Sequence, residues 1–140
     1  MNIVVGFTAT PESQAATYAA IDEAALRGAG VVLLPEQAAP AQQTGNDAGP
    51  PASAATPDPE VVRYAQEHGV GLSVSELPTD ADFGDALIDA SYQEDTAMIV
   101  IGLRRRSPVG KLFLGSTSQR VLLEAGCPVH AVKVRVGPRR

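Results

Sequence analysis

Tryptophan is absent from this chain of 140 residues, and the other aromatics amount to three Phe and three Tyr. A platform for single-stranded nucleic acid needs exposed rings on which bases stack, so that class is not expected. Cysteine occurs once, as Cys127, which excludes an internal disulfide and a thiolate-rich zinc site. Histidine occurs twice, at His68 and His130, too seldom for a typical imidazole metal site. No apolar run approaches the roughly 18–20 residues of a membrane span. The opening Met1-Asn2-Ile3-Val4-Val5-Gly6 lacks the basic region and cleavage site of a secretory signal. The expectation is a cytoplasmic protein with no membrane and no nucleic-acid partner.

Basic charge is scarce in one part of the chain and acid in the other. Residues 1–95 hold 15 Asp/Glu against two Lys/Arg, whereas 96–140 hold one acid, Glu124, against nine Lys/Arg. A net charge of −5 hides this split. Such asymmetry points to an anionic partner for the basic part. Four of the nine cations, Arg104, Arg105, Arg106 and Lys111, fall between Gly102 and Gly115, and Lys133, Arg135, Arg139 and Arg140 follow near the end. The distribution argues for a localised anion site and a basic edge rather than a nucleic-acid-binding half.

What is plentiful is Val, Ile, Leu and Ala. The length fits one domain over 1–140 with a core that needs no staples. Ile3-Val4-Val5, Val31-Val32-Leu33-Leu34 and Met98-Ile99-Val100-Ile101 read as buried strands, Val70-Leu72-Val74 as a strand nearer the sheet edge, and Pro128 to Val134 as the last strand. Helices are predicted between them. The first enters at Thr10-Pro11 or Ser13, carries Ala16, Ala19, Ala20, Ala24 and Leu26, and ends at Gly28. The second starts at Asp58-Pro59 and ends at Gly69; the third spans Asp82 to Tyr92 and the fourth Ser116 to Ala125. Residues 36–57, rich in Pro and Ala, read as a mobile loop or a lid. Strands that alternate with helices give an α/β fold with an open, five-stranded, mostly parallel sheet and helices on both faces. Ligands in such sheets sit beyond the carboxyl ends of the strands.

The segment after Met98–Ile101 carries the chemistry. Gly102 is read as the end of the strand, Leu103 to Leu114 as an irregular basic stretch, and Gly115-Ser116-Thr117-Ser118 as the opening of a helix. A helix N-terminus presents unpaired N–H groups and a positive dipole end. Ser116 and Thr117 add hydroxyl donors, and arginines add forks suited to phosphate. The competing structural reading is that Ser116 only caps its helix and the arginines are solvated. Gly110-Lys111 is not a Walker loop, since Leu112 stands where Ser or Thr should be. Cys127 reads as a packing residue, and Asp80, Asp82, Asp85 and Asp89 as caps and a solvated face. No catalytic set and no metal site are expected.

Gly102, the basic turn, Leu114-Gly115-Ser116, the following helix and Cys127-Pro128-Val129 together resemble the universal stress proteins. Ile3-Val4-Val5-Gly6 followed by Pro11-Glu12-Ser13 and an Ala-rich helix is similar to that family's first βα unit. The resemblance implies a flavodoxin-like, adenine-nucleotide-hydrolase-like sheet of order 3-2-1-4-5. It also implies homodimers joined through the last strand, here with Val129, Ala131 and Val132. In one branch it implies ATP or AMP held by the loops after strands 1, 2 and 4. The motif of that branch is G-x2-G-x9-G-S/T. Gly102, Gly115 and Ser116 match it, while Arg105 replaces the second glycine, Thr8 stands where an Asp is usual and Glu36 follows the second strand. Thr8, Gly102, Arg105, Gly115, Ser116 and Thr117 are thus the expected nucleotide-binding residues. The function implied is a regulatory stress-response binding protein that requires no cofactor to fold and is not an enzyme. The alternative is a nucleotide-independent interaction dimer of the same fold.

Overall fold

The computed structural model describes residues 1–8, 11–36, 57–75, 82–105, 112–113 and 115–133. In chain order these form β1 (Asn2–Phe7), α1 (Pro11–Arg27), β2 (Gly30–Pro35), α2 (Pro59–Glu67), β3 (Leu72–Val74), α3 (Phe83–Ser91), β4 (Thr96–Arg105), β5 (Leu112–Phe113), α4 (Ser116–Glu124) and β6 (Val129–Lys133). The parallel sheet runs β3-β2-β1-β4-β6, which is the expected order. The 36–57 loop lies outside the described residues apart from Glu36 and Pro57, as do Thr10, Asp80, Arg106, Lys111 and the tail arginines.

The runs of apolar residues are continuous because the central strands are buried on both faces. Side chains alternate across the sheet. Ile3, Val5, Val31, Leu33, Met98 and Val100 join one core with Ala16, Ala20, Ile21 and Ala24 of α1 and Val61 and Ala65 of α2. Val4, Leu34, Ile99 and Ile101 join the other with Leu87 of α3 and Val121 of α4. Small residues dominate the buried stripe of α1, so its axis comes close to the sheet. Leu26, expected on that stripe, is instead 82% exposed, since the helix has turned past its buried face by then.

Helix ends follow the local chemistry. Asp58 caps α2 by accepting from Glu60 N at 2.9 Å, with Pro59 in the first turn. His68 closes that helix, its Nδ1 donating to Tyr64 O at 2.8 Å. Gly28 and Gly69 follow α1 and α2 with φ of 68° and 69°, where a side chain would be strained. Tyr64 also donates from its hydroxyl to Asp22 at 2.6 Å and meets Tyr18 edge to face, tying α2 to α1. That hydrogen bond pushes the Tyr64 phenol above its ordinary pKa. At the far end of α3, the Tyr92 ring covers Gly126, its hydroxyl donates to Glu124 O, and Ser91 Oγ accepts from Gly126 N.

Two expectations need correction. Gly102 does not end its strand, because β4 continues to Arg105. Nor is 103–114 wholly irregular, because Arg104 and Arg105 pair antiparallel with Phe113 and Leu112 of β5.

Gly102 has a steric task in the middle of this strand. A Cβ added there would lie 2.6 Å from the carbonyl carbon of Glu12, in the first turn of α1. The obstacle is backbone, which cannot rotate aside. Gly102→Ala is therefore expected to cost about 1–3 kcal/mol as an overpacking change. Chemical denaturation of the two proteins measures it, and a variant as stable as the parent would refute this account of the glycine.

Candidate functional site

A cleft of about 350 Å³ opens at the carboxyl ends of β1 and β4. Its walls come from four places in the chain. Gly6 and Thr8 end β1, Glu12 and Ser13 begin α1, Ile101 and Gly102 belong to β4, and Gly115 to Ser118 open α4. Glu36 borders it after β2, and Phe83, Leu87 and Val121 form its apolar wall.

Local bonds fix this rim. Ser13 is 3% exposed and lies within α1, which begins at Pro11, rather than at the N-cap position. Its Oγ accepts from Thr8 N at 2.8 Å and donates to Gly6 O at 3.3 Å, which pins the chain leaving β1 against α1. Glu36 N donates to Phe7 O at 2.9 Å, which holds the end of β2 beside the end of β1. Phe83 lies over Gly6, where a Cβ would come within 3.0 Å of its ring.

The N-cap of α4 is Gly115, with φ −68° and ψ 168°, so the structure assigns the capping position to the glycine and makes Ser116 the first helical residue. The competing reading of Ser116 as the cap is thus corrected. Gly115 has no side chain with which to satisfy the first-turn amides. Gln119 N→Gly115 O, at 2.9 Å, is the first bond of the helical ladder, so the amides of residues 116–118 precede it. These donors, the hydroxyls of Ser116 and Thr117 and the positive end of the helix dipole meet at one end of the cleft. Glu12 and Glu36 stand elsewhere on the same rim. The cleft is bipolar: donor-rich at α4 and carboxylate-bearing near β2 and α1.

Of the six residues expected from sequence, Thr8, Gly102, Gly115, Ser116 and Thr117 are brought together on this lining. Arg105 sits at the end of β4, and its side chain lies outside the described residues. Glu12, Ser13, Ser118 and the apolar wall escaped the sequence reading. Glu12 and Ser13 had a signal, because a helix that follows β1 must start at the sheet's carboxyl edge. Phe83 had none, since its contact with Gly6 is purely tertiary. Cys127 is not part of this lining, and burial pushes its thiol up, consistent with a packing residue. Among the described residues no cluster of three metal-ligating side chains occurs, and no helix is long and apolar enough to cross a membrane.

Comparison with known proteins gives a consistent result. The model of the universal stress protein family matches residues 1–133. A universal stress protein of Mycolicibacterium smegmatis is 39% identical over 131 residues, which cover 94% of this chain and 96% of that one. The solved structure of a universal stress protein from Archaeoglobus fulgidus aligns with a TM-score of 0.73 at 28% identity, covering 95% of this chain and 98% of that one. A structure of the universal stress protein from the same organism in complex with dAMP aligns with a TM-score of 0.69 at 24% identity, with the same coverage. From the extent of the family match and the 39% identity along nearly the whole length, the chain belongs to the universal stress protein family.

Proposed function

We propose that this universal stress protein binds an adenine nucleotide, AMP or ATP, in the cleft and acts as a regulatory binding protein rather than an enzyme. The observation that carries the reading is the convergence of the open N-terminus of α4, Ser116 and Thr117 on a cleft at the carboxyl edge of the sheet. The dAMP complex from A. fulgidus lends fold-level precedent. Phosphate belongs at the α4 end, where amides and hydroxyls donate. The nucleoside then extends toward Thr8 and Glu36, and its ribose hydroxyls can donate to carboxylate. The described lining holds no His, Cys or Lys to act as a base or nucleophile near neutral pH.

Calorimetric titration tests this. AMP or ATP is expected to give measurable binding heat at or below millimolar concentration. The double change Ser116→Ala and Thr117→Ala is expected to weaken AMP by about tenfold, the scale of losing one hydrogen bond to a charged group. No heat with either nucleotide at millimolar concentration would remove the nucleotide reading and leave the nucleotide-independent interaction dimer.

The dimer is proposed to form through β6. Among the described residues β6 pairs only with β4, so its other edge is open. Ile99 N donates to Pro128 O at 3.0 Å. Alternation along a parallel ladder then turns the backbone groups of His130 and Val132 toward β4 and those of Val129 and Ala131 outward. An edge of this kind invites pairing with a second copy. Ala131→Pro removes an outward amide and leaves the β4 ladder intact. Sedimentation should show a shift toward monomer at unchanged secondary structure; an unshifted dimer would place the interface elsewhere.

A further inference from the structure

Phe83 and Leu87 of the cleft's apolar wall belong to α3, its anion-facing wall belongs to α4, and the side chain of Arg120 joins the two helices. Arg120 of α4 donates from Nη2 to Asp85 and from Nη1 to Asp82 Oδ2 at 3.4 Å. Asp82 is at the same time the N-cap of α3, accepting from Gly84 N at 3.0 Å. The residue after it is Phe83, which lies over Gly6 in the cleft wall.

The guanidinium is seated closely. A Cβ added at Gly84 would lie 3.1 Å from Arg120 Nη1 and 3.4 Å from Thr117 Cγ2. The glycine thus lets the arginine lie against the backbone of α3, with Thr117 of the cleft beside it. Hydrogen bonding to Asp85 holds the guanidinium above its ordinary pKa, so it stays charged throughout the accessible range. An isolated exposed ion pair contributes little, but one fork shared by two carboxylates restricts geometry more than a single contact does.

We propose that Arg120 is a positioning residue of the cleft: by clasping Asp82 and Asp85 it sets the separation between the Phe83 wall and the Ser116–Thr117 wall. This rests on the nucleotide reading for its ligand and on the helix geometry for its mechanism. Arg120 itself touches no nucleotide. It holds the first turn of α4, and therefore its donors, at the distance a phosphate end group needs from a nucleoside lying against Phe83.

Two measurements on the full chain test it. In the first, AMP affinity is compared by calorimetry among the parent, Arg120→Gln, Asp85→Asn and the swapped pair Asp85→Arg with Arg120→Asp. Each single change is expected to weaken AMP by about threefold to tenfold with little change in melting temperature, and the swap to restore most of the loss. A swap that binds no better than Arg120→Gln would mean direct contact between Arg120 and the phosphate and would overturn the proposal. So would an Arg120→Gln protein that binds like the parent. The second uses no ligand. Amide hydrogen exchange is followed at Gln119 and Ala86, whose N–H groups bond Gly115 O and Asp82 O in the first turns of α4 and α3. Exchange at both is expected to quicken several-fold in Arg120→Gln and to slow again in the swap; unchanged exchange would overturn the proposal. If the parent binds no AMP, the nucleotide reading fails, and the exchange experiment still decides the clasp.

Discussion

The contact on which the molecule depends is the seating of α1's first turn on Gly102. The Glu12 carbonyl occupies the space a side chain would take on β4. From that point α1 descends across the sheet on a buried stripe in which Ala16, Thr17, Ala20 and Ala24 are small and Ile21 is the one large side chain. The close approach has two results. It lets β1 and β4 share one covering helix, and it delivers Glu12 and Ser13 to the carboxyl edge, where the cleft opens. A larger residue at 102 would lift the helix and with it one wall of the cleft. The glycine that reads in sequence as a phosphate-loop residue is thus also a packing residue, and both demands fall on the same atom that is missing.

The two cores share the task of holding that edge. Alternate residues of β1, β2 and β4 feed opposite faces, so no central strand can shift register without exchanging the two sets. The cleft therefore sits on a rigid base. Its rim is secured differently, by local polar bonds from Ser13 and Glu36 and by the capped start of α3. Rigid strands beneath and hydrogen-bonded loops above suit a binding site in which small shifts of the rim follow occupancy.

Much of this was legible in the sequence for physical reasons. Strands buried on both faces leave unbroken apolar runs, and helices between them force parallel crossovers, so the order of elements and a mostly parallel sheet emerged from pattern, while the strand order came with the family resemblance. Asp58-Pro59, Asp82, Gly28 and Gly69 announced helix ends through local chemistry, which needs no tertiary partner. The short ribbon of β5 was illegible because two paired residues have no period. Leu26 misled because it lies two residues beyond Ala24, about 200° round the helix and off the stripe that Ala16, Ala20 and Ala24 set. In the site, Gly115 and Ser116 were legible as a helix opening at a strand's edge. Phe83 and the role of Glu12 were not, since both depend on which helix lies against which glycine. Asp82 was legible as a cap, but its second bond, to Arg120, spans 38 positions and leaves no local trace. The basic cluster of the second half likewise divides: Arg120 is taken up by acids of the first half, which the linear charge map could not show.

The turn at Gly126 has a counterpart to the Arg120 contact at the other end of the same helix pair. There the Tyr92 ring fills the space above the glycine, Tyr92 Oη holds Glu124 O, and Ser91 Oγ bridges Ile88 O and Gly126 N. α3 and α4 are thus fastened at both ends while sharing Leu87 and Val121 in between. A pair joined in this way has the contiguous packing expected of one cooperative unit. Its core with Val4, Leu34, Ile99 and Ile101 is separate from the one that α1 and α2 build on the opposite face, so a change that loosens one helix pair leaves the packing of the other in place.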